Sequence, residues 1–122
     1  MLRQGPIPRF AHGAFEYAIG VLLIAAPFLF GFKSDAAVAV SIVVGVLVLA
    51  VASSSDGPTS LVNSVPISAH LLFDVVLAAV LVASPFLFTF NSETAPTAFF
   101  IVLGVAHLLV TIGTRFQAPA GR

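Results

Sequence analysis

Five side chains in this sequence could do chemistry, and their spacing is the first thing to explain. His12 lies four residues before Glu16, and His70 lies four residues before Asp74. On a helix that separation places the two side chains one turn apart, so each imidazole can reach its carboxylate. His107 stands alone further along. Histidine and carboxylate together can pass a proton, hold a hydrogen bond or share a metal ion. The sequence contains no Gly-rich phosphate loop, nucleophile elbow or His-Glu-x-x-His run. No catalytic residue, and no enzyme, is expected.

The two pairs are one pair written twice. Ala26-Pro27-Phe28-Leu29-Phe30-Gly31-Phe32 recurs as Ser84-Pro85-Phe86-Leu87-Phe88-Thr89-Phe90, and the same register lays Ser34-Asp35 on Ser92-Glu93. Over 12–35 and 70–93 the two copies share ten identities in twenty-four positions. Such self-similarity marks an internal duplication.

Composition names the solvent that surrounds these residues. Of 122 residues 59% are hydrophobic and 8% charged, with a formal net charge of zero, where soluble domains carry about a quarter charged residues. Segments 10–32, 36–53, 67–90 and 95–114 each have the length and apolarity to cross a hydrocarbon core about 30 Å thick, which takes roughly 17 to 25 helical residues. The expected fold is an all-α membrane protein. Its four transmembrane helices form two tandem two-helix repeats, 10–53 and 67–114, joined by a polar linker at 54–66. With two spans per copy, the repeats point the same way around an axis along the membrane normal. The first apolar run follows Arg3 and Arg9 as in a signal peptide, but it has an internal copy and full spanning length, so it is read as an uncleaved helix. Nucleic acid is excluded as a partner by the absence of a basic run, and disulfides and thiolate metal sites by the absence of cysteine.

Polar side chains on such helices must turn towards protein. At 100° per residue, His12, Glu16, Gly20 and Pro27 fall within roughly an 80° arc, and His70, Asp74, Ala78 and Pro85 repeat that stripe. Pro27 and Pro85 release the carbonyls of Leu23 and Leu81, so the helices should kink or end there, with the following phenylalanines packing into gaps between helix ends. On the second helix Ser41, Gly45, Val48 and Ala52 share a small-residue face. The fourth helix keeps the glycine as Gly104, after one inserted residue, and puts His107 and Thr111 where the first copy has Val48 and Ala52. Gly20, Gly45 and Gly104 are the expected close-packing positions. Ser41 and Thr111 are expected to bond back to their own helices, Tyr17 to anchor at the interface and the stretch before Phe10 to lie extended along the membrane surface.

Glu16, Asp74 and His107 all lie within about two turns of the membrane face that carries the chain ends, so they fall in one polar layer with His12 and His70 above it. Four uses of that layer are open. The pairs can be structural hydrogen bonds that register the helices; the layer can relay protons or ions; it can hold a metal ion or haem; or, with Arg9 and Arg115, it can meet a lipid or quinone head group. The His-x-x-x-carboxylate spacing is a reversed and lengthened form of the Glu-x-x-His element of bundle metal sites. No cofactor is expected, with metal or haem as the alternative. Arg3, Arg9, Arg115 and Arg122 against Lys33 put both termini in the cytoplasm by the positive-inside rule.

Two spans per copy, with Ser84-Pro85-Phe86 near the end of one and Ala26-Pro27-Phe28 near the end of the other, resemble the SPW-repeat family of small bacterial membrane proteins. Phe86 stands at the motif's Trp; Ala26 and Phe28 replace its Ser and Trp. The resemblance implies a duplicated four-helix fold in the bacterial inner membrane and carries over no activity. The expected role is a structural or accessory subunit in the lipid bilayer, acting as a homo-oligomer or beside other membrane subunits, with an ion-conducting or cofactor-binding subunit as the alternative.

Overall fold

The computed structural model describes residues 6–54 and 66–115. Residues 55–65, which make up nearly all of the expected linker, lie outside the described residues, as do Arg3 and Arg122. The element order is β1 (Ile7–Pro8), α1 (Arg9–Leu29), α2 (Asp35–Ser54), α3 (Ile67–Leu87), α4 (Thr94–Gly113) and β2 (Thr114–Arg115). All four helices are long and apolar enough to cross a membrane. Val-rich α2 would be a weak helix former in water, but in lipid the backbone must satisfy its own N–H and C=O groups, and a helix does so within one segment.

Helices α1 and α3 end three residues earlier than the apolar runs suggest, because the repeated motif is a helix stop. In α1 the Phe32 N–H donates to the Pro27 carbonyl at 3.0 Å, closing a six-residue loop over Gly31, which takes a φ of 62°. The same closure occurs after α3, where the Phe90 N–H donates to the Pro85 carbonyl at 2.9 Å and Thr89 takes a φ of 58°. This is a left-handed C-terminal cap whose last residue is apolar and tucks against the helix. Phe32 and Phe90 are accordingly buried, whereas Phe28, Phe30, Phe86 and Phe88 are exposed. Only some of the phenylalanines therefore fill gaps; the others face the surrounding apolar phase.

Pro27 has no N–H for the Leu23 carbonyl, and the structure shows what replaces it. Ser41 of α2 donates its hydroxyl to that carbonyl across the hairpin. The expectation that Ser41 bonds to its own helix is thereby corrected, since the carbonyl freed by proline is the stronger attraction. Further along the same contact, α1 and α2 approach closely: a Cβ on Gly45 would come within 2.8 Å of the Gly20 carbonyl oxygen. In the second hairpin a Cβ on Gly104 would meet the Ala78 carbonyl oxygen at 3.0 Å. Dispersion between closely set backbones is what holds helices together in lipid, and both hairpins use it.

Helices pack extensively within each hairpin, and the hairpins meet mainly through side chains. Ile19 and Leu23 of α1, Leu77 and Leu81 of α3, and Phe100 and Leu103 of α4 form the buried apolar middle. Phe32, Phe90, Phe99 and Phe100 close the loop end, with ring centroids 5.3 to 6.5 Å apart. There Glu93 reaches across from the second hairpin and accepts from the backbone N–H groups of Lys33 and Ser34 at 2.7 and 2.9 Å. At the opposite end Ile7–Pro8 pairs in parallel with Thr114–Arg115. The expected surface arm is thus, over these residues, tied to the far end of the chain.

The two left-handed positions give a paired prediction. A Cβ at Gly31 would have nothing within 4 Å, so Gly31→Ala tests backbone conformation alone; it should cost about 1 kcal/mol, while Thr89→Gly should stabilise by a few tenths to about 1 kcal/mol. Thermal unfolding in detergent micelles, followed by circular dichroism, should rank Thr89→Gly above wild type and wild type above Gly31→Ala. Identical midpoints would contradict these caps.

Candidate functional site

Helix α1 presents a buried stripe of His12, Gly13, Glu16, Ile19, Gly20, Leu23, Ala26 and Pro27. Helix α3 presents the matching stripe of His70, Asp74, Leu77, Ala78, Leu81, Ser84 and Pro85. The stripes face each other, and the structure brings all five chemistry-bearing residues into one cluster near the chain-end side of the bundle. Glu16 is 1% exposed, and Asp74 and His107 are 0% exposed.

The cluster is reciprocal across the duplication. His12 Nε2 lies 3.1 Å from Glu16 Oε2 in its own helix and 3.0 Å from Asp74 Oδ2 in the other repeat. His70 Nε2 lies 3.3 Å from Asp74 Oδ1 in its own helix and 2.7 Å from Glu16 Oε1 in the other repeat. Each carboxylate thus faces one histidine from each hairpin. His107 of α4 breaks the symmetry, with Nε2 at 3.7 Å from Glu16 Oε2 and 3.5 Å from Asp74 Oδ1. Its ring stacks on Phe15, with centroids 6.2 Å apart and planes 11° from parallel. The equivalent position in the first copy is Val48, also buried.

One residue escaped the sequence reading altogether. Thr114, fully buried at the start of β2, lies 2.8 Å from His12 Nδ1 through its hydroxyl oxygen. The hydroxyl hydrogen is already given to the Val110 carbonyl, so in the His12 contact the oxygen accepts and Nδ1 carries the proton. Nothing in the sequence signals this, because the contact joins residues 102 positions apart. Thr111, expected to bond to its own helix, has no hydrogen-bond partner for its buried hydroxyl. The same holds for His70 Nδ1, Asp74 Oδ1 and both ring nitrogens of His107.

Pro27 and Pro85 lie far along the helices from this cluster, in the loop-end caps, and Gly20, Gly45 and Gly104 set helix separations beside it. Chemically, the cluster combines three imidazoles and two carboxylates, a set able to store protons or to ligate a metal ion through nitrogen and oxygen. His12, Glu16, His70 and Asp74 each offer an atom such that all four lie within 4.8 Å of one another.

A family model described as the SPW repeat domain matches residues 10–114. No curated protein and no solved structure matches the chain.

If the Thr114 hydroxyl fixes His12, Thr114→Val should lower stability by about 1 to 3 kcal/mol, since it leaves a buried N–H without an acceptor, and Thr114→Ser should restore most of it. Denaturant titration in mixed micelles measures both. Equal stability of the Val and Ser variants would remove Thr114 from the site.

Proposed function

The chain belongs to the SPW repeat family and is a small multi-pass membrane protein, and on that premise we propose that it is a non-enzymatic accessory subunit working by lateral association in the membrane. One observation carries this reading. Its polar groups are gathered inside the bundle, while large apolar side chains such as Val21, Val43, Leu72, Val102 and Leu109 cover the outside. Helix faces of this kind associate with lipid or with other helices, not with soluble ligands. The connections between helices at the loop end are only a few residues long, too short to build a binding domain of their own. The partners are other subunits of a membrane complex or further copies of this chain.

Conduction by a single copy fits less well. Beyond the polar layer the bundle interior is filled by Leu23, Leu77, Leu81, Phe100 and Leu103, all buried, and the hydroxyls of Ser41 and Ser84 are spent on backbone carbonyls. A proton or ion entering the layer from the chain-end side meets this apolar plug.

We place the protein in a bacterial cytoplasmic membrane with both termini in the cytoplasm, on the arginine bias of the chain ends. Because the chain lacks cysteine, single replacements report orientation cleanly. Ser92→Cys should react with a membrane-impermeant maleimide in intact spheroplasts, and Gly121→Cys only after lysis; the reverse pattern would invert the topology. Native mass spectrometry after gentle extraction should show a complex heavier than one chain. A lone monomer, under conditions that keep other membrane complexes whole, would contradict the accessory role.

A further inference from the structure

Proton accounting at His12 shows that a proton or a cation belongs between its Nε2 and the carboxylates. Nδ1 of His12 donates to Thr114, so in the neutral ring Nε2 offers a lone pair. That lone pair faces carboxylate oxygens at 3.0 and 3.1 Å. Acceptor against acceptor is repulsive, and burial deprives both of water. His70 Nε2 and His107 Nε2 point at the same two carboxylates. Either protons or a cation must sit among these atoms.

We infer that Nε2 of His12 and His70 and the carboxylates of Glu16 and Asp74, four donors within 4.8 Å of one another, form a binding site for one divalent first-row transition-metal ion, with His107 Nε2 beside the same carboxylates as a fifth donor. Spacing supports this. Donors bound at about 2.1 Å to a common metal stand about 3.0 Å apart along an octahedral edge and about 3.4 Å along a tetrahedral one. The contacts between nitrogen and carboxylate here run from 2.7 to 3.7 Å. Charge supports it too: a divalent cation cancels two carboxylates while all three imidazoles stay neutral, giving the zero net charge that a membrane interior favours.

Two protons would cancel the same charge, and His107 distinguishes the cases. Its Nε2 is fully buried, lies 3.5 Å from Asp74 Oδ1 and 3.7 Å from Glu16 Oε2, and makes a hydrogen bond to neither. Asp74 Oδ1, which faces His70 and His107, likewise has no hydrogen-bond partner. A proton on His107 Nε2 or His70 Nε2 would reach Asp74 Oδ1 only at the long distances of 3.5 and 3.3 Å, whereas a central ion takes His107 Nε2 and Asp74 Oδ1 as ligands. Three imidazoles exclude the oxygen-seeking Mg²⁺ and Ca²⁺ as the natural occupant and suit ions from Mn²⁺ to Zn²⁺. The Nδ1–H of His12 held by Thr114 is the outer hydrogen bond that metal-bound histidines ordinarily make, fixing Nε2 towards the ion.

The test uses the full chain with an affinity tag that contains no histidine, produced in medium supplemented with Co²⁺, Mn²⁺ or Zn²⁺ and purified in mild detergent. Inductively coupled plasma mass spectrometry should find about one metal ion per chain for at least one of these ions, and the Co²⁺ form should show visible d–d absorption that Zn²⁺ abolishes. His107→Leu is the informative variant, because the first repeat already buries Val48 at that position. It should stay helical and monodisperse, yet bind metal more weakly by more than about tenfold. Wild-type protein that is folded and carries no metal above the buffer background overturns the proposal. So does full metal retention in His107→Leu, since it removes the residue that separates an ion from protons.

Discussion

Ionisable side chains cannot face lipid cheaply; each charged residue at mid-helix costs about 2.5 to 3.5 kcal/mol on insertion scales. That constraint orders the rest of this molecule. Glu16 and Asp74 must turn inward, which fixes the rotation of α1 and α3 about their axes. Once they face each other, His12 and His70 fall on both carboxylates at once, because the repeats carry the pair in the same register. The cross-repeat pairing then supplies what the helix surfaces do not. Glycine contacts bind each helix to its own hairpin partner, but the hairpins are joined chiefly by this polar layer, by Glu93 at the loop end and by the apolar side chains between.

Duplication explains the frame, and divergence explains the chemistry. The left-handed caps, the proline positions and the His-carboxylate pairs occur in both copies. The exceptions are concentrated on α2 and α4. Ser41 rescues the carbonyl freed by Pro27, while Phe100 occupies its place in the second copy and builds the aromatic end instead. His107 replaces Val48 and turns a symmetric pair of pairs into an odd-numbered nitrogen set. An accessory role through helix faces and a metal ion in the interior are compatible, since they use opposite surfaces of the same helices.

Much of the fold was legible because lipid makes sequence reading simple: long apolar runs must be helices, and a polar stripe on one must face protein. The stripe from His12 to Pro27 could be drawn from angular spacing alone. The helix ends could not, since the apolar runs continue through the caps to Phe32 and Phe90, and Thr89 gives no hint of a left-handed backbone. Thr114 and Glu93 act on residues distant in sequence, and their roles depend on which chain ends come together in space. The bond from Ser41 to the Leu23 carbonyl could not be read either, because a carbonyl orphaned by proline on a neighbouring helix is invisible without the packing.

His70 and Glu16 are coupled directly across the two repeats, at 2.7 Å, and the joining of the hairpins depends on that contact. A double-mutant cycle on His70→Leu and Glu16→Leu, read as unfolding free energy in micelles, measures that coupling without reference to what the protein does. An interaction energy of about 1 to 3 kcal/mol is expected for partners in one buried network. Additive effects, within about 0.5 kcal/mol, would show that the hairpins are held together without the polar layer and would contradict the account.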